Sequence, residues 1–155
     1  MKYLPALLSI FIAQGAGIIG SFFTASNIQT WYTTLSVPTW NPPNWVFGPV
    51  WTTLYTLMGI AAYLVWRERH VDGRVRFALG VYGVNLVLNA LWSIIFFGMH
   101  RINIALWELV LLDIFIVATL FLFIRIRTLA GILIIPYLLW ALFATYLNYT
   151  LFLLN

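Results

Sequence analysis

Charge is scarce in this chain: only 8% of its 155 residues are Asp, Glu, Lys or Arg, where a soluble globular domain carries roughly a quarter. Against that deficit stand 63% hydrophobic residues, which exclude a soluble fold and define an integral membrane protein. Cysteine is absent altogether, so disulfide frameworks, thiolate nucleophiles and Cys-ligated metals are excluded together. Acidic side chains number four, Glu68, Asp72, Glu108 and Asp113, and the histidines are His70 and His100. No Ser/His/Asp set can be assembled from these within one leaflet, and the histidines fall on opposite sides of the membrane in the topology below. No metal site, resident cofactor or hydrolytic centre is expected.

Between Tyr3 and Trp66 there is no charged side chain at all. That stretch is too long for one span, since a transmembrane helix uses roughly 20 residues, and it is interrupted at Ser36-Val37-Pro38 and Asn41-Pro42-Pro43. The expected architecture is all-α, a single membrane domain over residues 1–155. Its five helices are placed at 4–24, 45–66, 77–98, 103–124 and 129–152, with a long first loop at 25–44. Pro49 is placed in the first turn of helix 2, where a missing N–H costs little. A transmembrane β-barrel would need segments of about ten alternating residues, and these runs are apolar all round.

Lys2, Arg67, Arg69, Arg74, Arg76, Arg125 and Arg127 share one face of the membrane, and Arg101 alone lies on the other. By the positive-inside rule, the N-terminus is inside and the first loop, third loop and C-terminus are outside. The formal charge of +4 therefore reports topology, and no nucleic-acid partner is expected. Lys2 ahead of an apolar run resembles a signal peptide, but the run continues to Phe23 and an uncleaved helix is expected.

Gly15-Ala16-Gly17-Ile18-Ile19-Gly20 has the form G-x-G-x-x-G, yet the strand, βαβ unit and acidic partner that a dinucleotide site needs are missing. The same segment places Ala13, Gly17, Ser21 and Ala16, Gly20, Thr24 at spacing four, a small-residue pattern for close helix packing.

Polar and aromatic residues within the spans are costly unless they face other helices or a cavity. Three stripes stand out at helical period: Asn85, Asn89, Trp92 on helix 3; Phe47, Trp51, Tyr55 on helix 2; Tyr137, Trp140, Ala144, Asn148 on helix 5. From the rise per residue, Trp51 and Trp92 lie roughly 9 Å below the outer ends of their helices, Asn89 and Ala144 roughly 12 to 14 Å, Tyr55 about 15 Å and Trp140 about 18 Å. All fall in the outer half, under a loop that carries Trp31, Tyr32, Trp40 and Trp45 and no charge, and Trp31, Tyr32, Trp40 and Pro42 of that loop are expected among the ligand-binding residues. An aromatic pocket with a few Asn donors and an aromatic lid follows, suited to a flat hydrophobic ligand.

The run Trp40-Asn41-Pro42-Pro43-Asn44-Trp45-Val46-Phe47-Gly48-Pro49-Val50-Trp51-Thr52-Thr53-Leu54-Tyr55 resembles the helix 2 signature of the TspO/translocator-protein family, also called peripheral-type benzodiazepine receptors. Leu88-Asn89-Ala90-Leu91-Trp92 and Pro136-Tyr137-Leu138-Leu139-Trp140 with Ala144 and Asn148 are similar to its helix 3 and helix 5 signatures, and Trp31-Tyr32 fits its first loop. The resemblance implies a five-helix protein, often a homodimer, that binds protoporphyrin IX and related tetrapyrroles, sterols and benzodiazepine-type ligands. It also implies pocket roles for Trp51, Trp140 and Ala144, and a part for the two tryptophans in light-dependent porphyrin breakdown. Two departures matter. No basic residue follows Tyr149, which argues against sterol binding through the animal helix 5 motif, and the missing basic tail points to a prokaryotic cell membrane.

Three functions are thus in play: tetrapyrrole binding for transport, sensing or stress response; light-dependent porphyrin degradation by Trp51 and Trp140; and ion or proton transport through Glu108 and Asp113. The last is disfavoured, because these acids are 140° apart on a helical wheel and the chain shows no inverted repeat.

Overall fold

The computed structural model describes residues 3–155. Lys2, one of the seven cations in the topology argument, lies outside the described residues. The chain forms α1 (Leu4–Asn27), α2 (Asn44–Arg67), α3 (Val75–Ser93), α4 (Ile102–Ile126), a short α5 (Thr128–Ile132) and α6 (Ile135–Leu154). Five helical segments of 24 to 27 residues, at mean hydropathy 1.2 to 2.6, are long and apolar enough to cross a membrane. Twenty-four residues at 1.5 Å each give about 36 Å, against a hydrocarbon core of about 30 Å. The chain is therefore an all-α membrane bundle of five spans.

Three local features depart from the pattern read in the sequence. The fifth span is not one continuous helix. It breaks at Leu133 and Ile134, between α5 and α6, because Pro136 has no N–H to give the carbonyl four residues back and disfavours helical geometry before it. The Leu133 and Ile134 amides are satisfied instead by Leu129 O at 3.1 Å and Gly131 O at 2.9 Å. The third span ends in a π turn, Ile94–Gly98, in which Met99 N donates to Ile94 O at 2.9 Å. And α2 begins at Asn44, so Pro49 lies in the second turn rather than the first.

Helix α1 packs along α2 and α3, while α4 packs against α3 and α6. Along the α1–α2 seam close approach depends on glycine. A Cβ on Gly59 would stand 2.5 Å from Ile10 Cα, and one on Gly17 would run into the Tyr55 ring. Ser9 Oγ donates to Gly59 O at 2.8 Å and Gln14 Nε2 to Thr52 O at 2.9 Å, so side-chain bonds fasten the same seam in two places. Of the small-residue pattern of α1, Ala13, Ala16 and Gly20 are buried in the packing and Gly17 receives the Tyr55 ring, whereas Ser21 is exposed.

Most of the buried core lies towards the end where Arg67, Arg74 and Arg127 cluster, and includes Met58, Val65, Ala78, Ile116, Phe123 and Ile134. Among the described residues, two ion pairs hold the loops there: Arg74 to Asp72 at 2.7 Å and Arg127 to Glu68 at 2.9 Å. The Arg74 side-chain hydrogen bond, together with one from its backbone N–H, holds the Asp72 carboxyl below its usual range. The other end is built differently, from aromatic rings around a cavity.

Candidate ligand cavity

At the end of the bundle nearest the first loop, α1, α2, α3 and α6 do not close on one another. They enclose a cavity of about 300 Å³. Of the residues singled out in the sequence, Tyr32, Phe47, Trp51, Tyr55, Asn89, Trp92, Trp140, Ala144 and Asn148 border it. Phe47 meets Trp140 edge-on at 6.0 Å between ring centroids, and Trp51 stacks on Tyr55 at 5.4 Å. The walls carry no charged side chain. Ile18 and Ser21 of α1 and Gly48 and Thr52 of α2 border the cavity and are also exposed, so it opens sideways between these two helices.

Four of the expected site residues stand elsewhere. Trp31 is stacked on His100 at 4.3 Å and packs edge-on against Phe96 at 5.3 Å, behind the cavity wall. Trp40 stacks on Tyr146 at 5.2 Å on the outside of α6. Pro42 is half-buried in the loop and is not part of the wall. Tyr137 is fully buried, one layer below the cavity floor. Trp45, expected in the lid, is 76% exposed on the first turn of α2. The first loop therefore covers the cavity with one ring, Tyr32, rather than with four.

That ring is firmly held. Tyr32 donates to Asn41 Oδ1 at 2.9 Å, and burial pushes its hydroxyl above the ordinary tyrosine range, an effect the bond to Asn41 partly offsets. The loop is tied to the end of α6 by Ser36 N donating to Asn155 Oδ1 at 2.9 Å and Asn155 Nδ2 donating to Ser36 O at 3.0 Å. His100, in a left-handed turn at φ 55, donates from Nε2 to Asn27 Oδ1 at 3.0 Å and joins the start of the loop, at the end of α1, to the α3–α4 connection. The π turn contributes as well. It lets consecutive residues Phe96 and Phe97 both turn inward, where each contacts Tyr32, Trp31 and Trp92.

The Asn side chains are not free donors aimed at a ligand, as the sequence pattern suggested. Tyr55 Oη donates to Asn89 Oδ1, Asn89 Nδ2 donates to Tyr137 Oη at 2.9 Å, and Tyr137 Oη donates to Asn85 Oδ1 at 2.8 Å. Asn85 Nδ2 continues to Thr119 Oγ1 at 3.4 Å, so one chain of bonds links α2, α3, α6 and α4 beneath the cavity. Closer to the first loop, Trp92 Nε1 donates to Asn148 Oδ1 at 3.2 Å and Asn148 Nδ2 to Ile102 O at 3.0 Å. Buried polar groups are expensive unless bonded, and here they bond one another. The consequence is a cavity whose interior is set by aromatic faces, with its polar groups spent on fixing where those faces stand.

The α1 wall carries no signal in the aromatic stripes. Gly17, Gly20, Ser21 and Thr24 of the small-residue pattern border the cavity, as does Gln14, which no pattern marks; the small size of the glycines both admits Tyr55 and leaves the opening. Asp113 accepts a hydrogen bond from Thr145 Oγ1 at 2.8 Å, which fixes α4 to α6, while Glu108 is 7% exposed with both carboxyl oxygens unpartnered among the described residues. Both acids turn into protein although they are 140° apart, because α4 is covered on two sides, by α3 and α6. Neither borders the cavity.

Fold and cavity together define a class: five-span membrane proteins with an uncharged aromatic chamber at one end of the bundle. The chain belongs to the TspO/MBR family, whose sequence profile matches residues 9–154. It is 42% identical over 156 residues to the tryptophan-rich protein TspO of Archaeoglobus fulgidus, covering all of this chain and 99% of that one. It is 42% identical over 151 residues to the human translocator protein, covering 95% and 88% respectively. The tryptophan-rich sensory protein of Cereibacter sphaeroides is 43% identical over 125 residues, covering 81% and 77%.

Proposed function

We propose that the cavity binds porphyrins, protoporphyrin IX among them, and other flat hydrophobic ligands such as benzodiazepine-type compounds, and that this binding serves tetrapyrrole transport, sensing or stress response. The observation that carries the reading is the chemistry of the walls: large ring faces from Phe47, Trp51, Tyr55, Trp92 and Trp140, and no charge. Such a surface favours a planar π-system and offers nothing to an ion or a sugar. At about 300 Å³ the cavity is at the small end of ligand pockets, and a tetrapyrrole is larger. The macrocycle therefore sits edge-in, with part of its ring passing through the opening between α1 and α2.

The remaining assignments belong to the same proposal. The cation count supports an N-terminus inside and a cavity in the outer half of the membrane, which in this reading is a prokaryotic cell membrane. Assembly is as a homodimer, and sterol recognition at the end of helix 5 is not part of the reading. Titration of the chain in detergent with protoporphyrin IX should quench tryptophan fluorescence to saturation in the micromolar range. Linear quenching with no saturation would remove the proposal.

One contact favours a second reading, light-dependent porphyrin degradation. Trp51 stacks on Tyr55 and also meets Tyr137 edge-on at 6.3 Å between centroids, so an excited porphyrin in the cavity would face an indole backed by two phenols, a cluster of one-electron donors, with dioxygen as the final electron acceptor. Trp51→Phe keeps an aromatic wall. Under illumination in air it should bind porphyrin as before and slow the loss of porphyrin absorbance; equal rates in variant and parent would assign the protein to binding alone.

A further inference from the structure

The opposite end of the bundle carries a second concavity, which the proposed function does not use. It is lined by Tyr3, Pro5, Tyr63, Trp66, Arg67 and Arg69. Of the arginines at this end, Arg74 and Arg127 are bound by Asp72 and Glu68. Arg67 and Arg69 have no carboxylate within ion-pair distance among the described residues, and both lie over aromatic rings. The Arg69 guanidinium lies 3.5 Å from the Trp66 ring centroid and its Nη1 donates to Trp66 O at 3.2 Å. Arg67 lies over Tyr63 at 6.0 Å, and the Tyr63 and Trp66 rings are themselves stacked at 6.3 Å.

A guanidinium stacked on a ring keeps its charge, and its in-plane N–H groups remain directed outward, which suits it to phosphate oxygens. The start of α1 reinforces the field. Tyr3 supplies no side-chain cap, so the positive end of the α1 dipole stands at the same groove. Tyr63 and Trp66 occupy the last two turns of α2, the level at which aromatic side chains meet lipid headgroups. Beside the groove, Leu4, Leu7 and Leu8 are exposed on α1, an apolar track for acyl chains. Paired cations, an aromatic floor and an apolar track in one place match a phospholipid rather than a soluble anion.

We propose that this groove is a binding site for one anionic phospholipid in the leaflet at the basic end of the bundle, with Arg67 and Arg69 on its phosphodiester. Clustered basic residues attract anionic lipids in general, so the site must be separated from diffuse charge. Arg76 provides the control, because it is exposed at the same end and does not line the groove. The full chain is reconstituted in bilayer nanodiscs of phosphatidylglycerol and phosphatidylcholine, released into mild detergent, and its retained lipid counted by native mass spectrometry. The parent should retain phosphatidylglycerol in preference to phosphatidylcholine at one per chain. Arg67→Gln/Arg69→Gln should lower that retention on the order of tenfold or more, and Arg76→Gln should leave it unchanged. Should the double variant fail to fold, Trp66→Leu removes the ring under Arg69 with every charge intact and should lower retention too. Equal losses in Arg76→Gln and the double variant, retention unchanged in Trp66→Leu, or no preference for phosphatidylglycerol would each overturn the proposal. So would displacement of the lipid by millimolar inorganic phosphate, which would show a site that reads free phosphate.

Discussion

Ala144→Trp is expected to abolish porphyrin binding and leave the chain folded. Ala144 borders the cavity one turn beyond Trp140, is only half-buried, and belongs to neither of the buried apolar clusters. An indole there extends into open space between Phe47, Trp51 and Trp140, so it takes up ligand volume without displacing packed neighbours. The neighbouring Ala141 is 1% exposed and part of the core. Ala141→Trp should therefore do the reverse, forcing α6 away from α4 at a cost of about 1–3 kcal/mol or more. Fluorescence titration and thermal unfolding in one detergent measure both effects. If Ala144→Trp melts early and binds normally, the space beside Ala144 is not the ligand's.

The second large effect is on stability and comes from one oxygen. Tyr137 Oη accepts from Asn89 and donates to Asn85, at 2.9 and 2.8 Å, and all three residues are buried. Tyr137→Phe leaves the ring in place, because a phenyl fills the same volume, but orphans one amide donor and one amide acceptor. A buried polar group left unsatisfied costs about 1–3 kcal/mol, so a loss of about 2–6 kcal/mol follows for the pair. Asn89 also holds Tyr55, which is part of the cavity wall, so porphyrin affinity should fall together with stability. Tyr146→Phe, on a side chain 59% exposed, should alter neither. Unfolding midpoints for the two variants that coincide would remove the bond chain from the account.

The five spans were legible because hydropathy alone locates them, and the charge pattern marks their ends. What hydropathy cannot give is the course of the chain within an apolar run. Residues 94–98 are apolar on every side, so the π turn that brings both Phe96 and Phe97 inward leaves no periodic trace. The break before Ile135 does have a signal in the sequence, Pro136, set inside an unbroken hydrophobic stretch. The 100° stripes lie on the faces of α2, α3 and α6 that border the cavity but do not mark its limit along them. Tyr137 shares its face with Ala144 and Asn148, yet it stands a layer too deep and serves as a hydrogen-bonding post. The α1 wall was missed for the opposite reason. Small residues mark close packing and open space alike, and at Gly17 they mark both. Loop aromatics carry no period at all, so Trp31, Trp40 and Trp45 could not be told from Tyr32 until the loop's own bonds to Asn41, Asn155 and His100 were known.

Photoaffinity labelling places the ligand directly. A porphyrin bearing a diazirine, bound to the parent chain and activated at a wavelength that spares the macrocycle, would be mapped by peptide mass spectrometry. The account predicts adducts within residues 14–24, 47–55 and 140–148, the α1, α2 and α6 walls of the cavity, competed by unlabelled protoporphyrin IX and missing in Ala144→Trp. Adducts confined to the lipid-facing sides of α4 or to the arginine-rich end, equally abundant in Ala144→Trp, would contradict it.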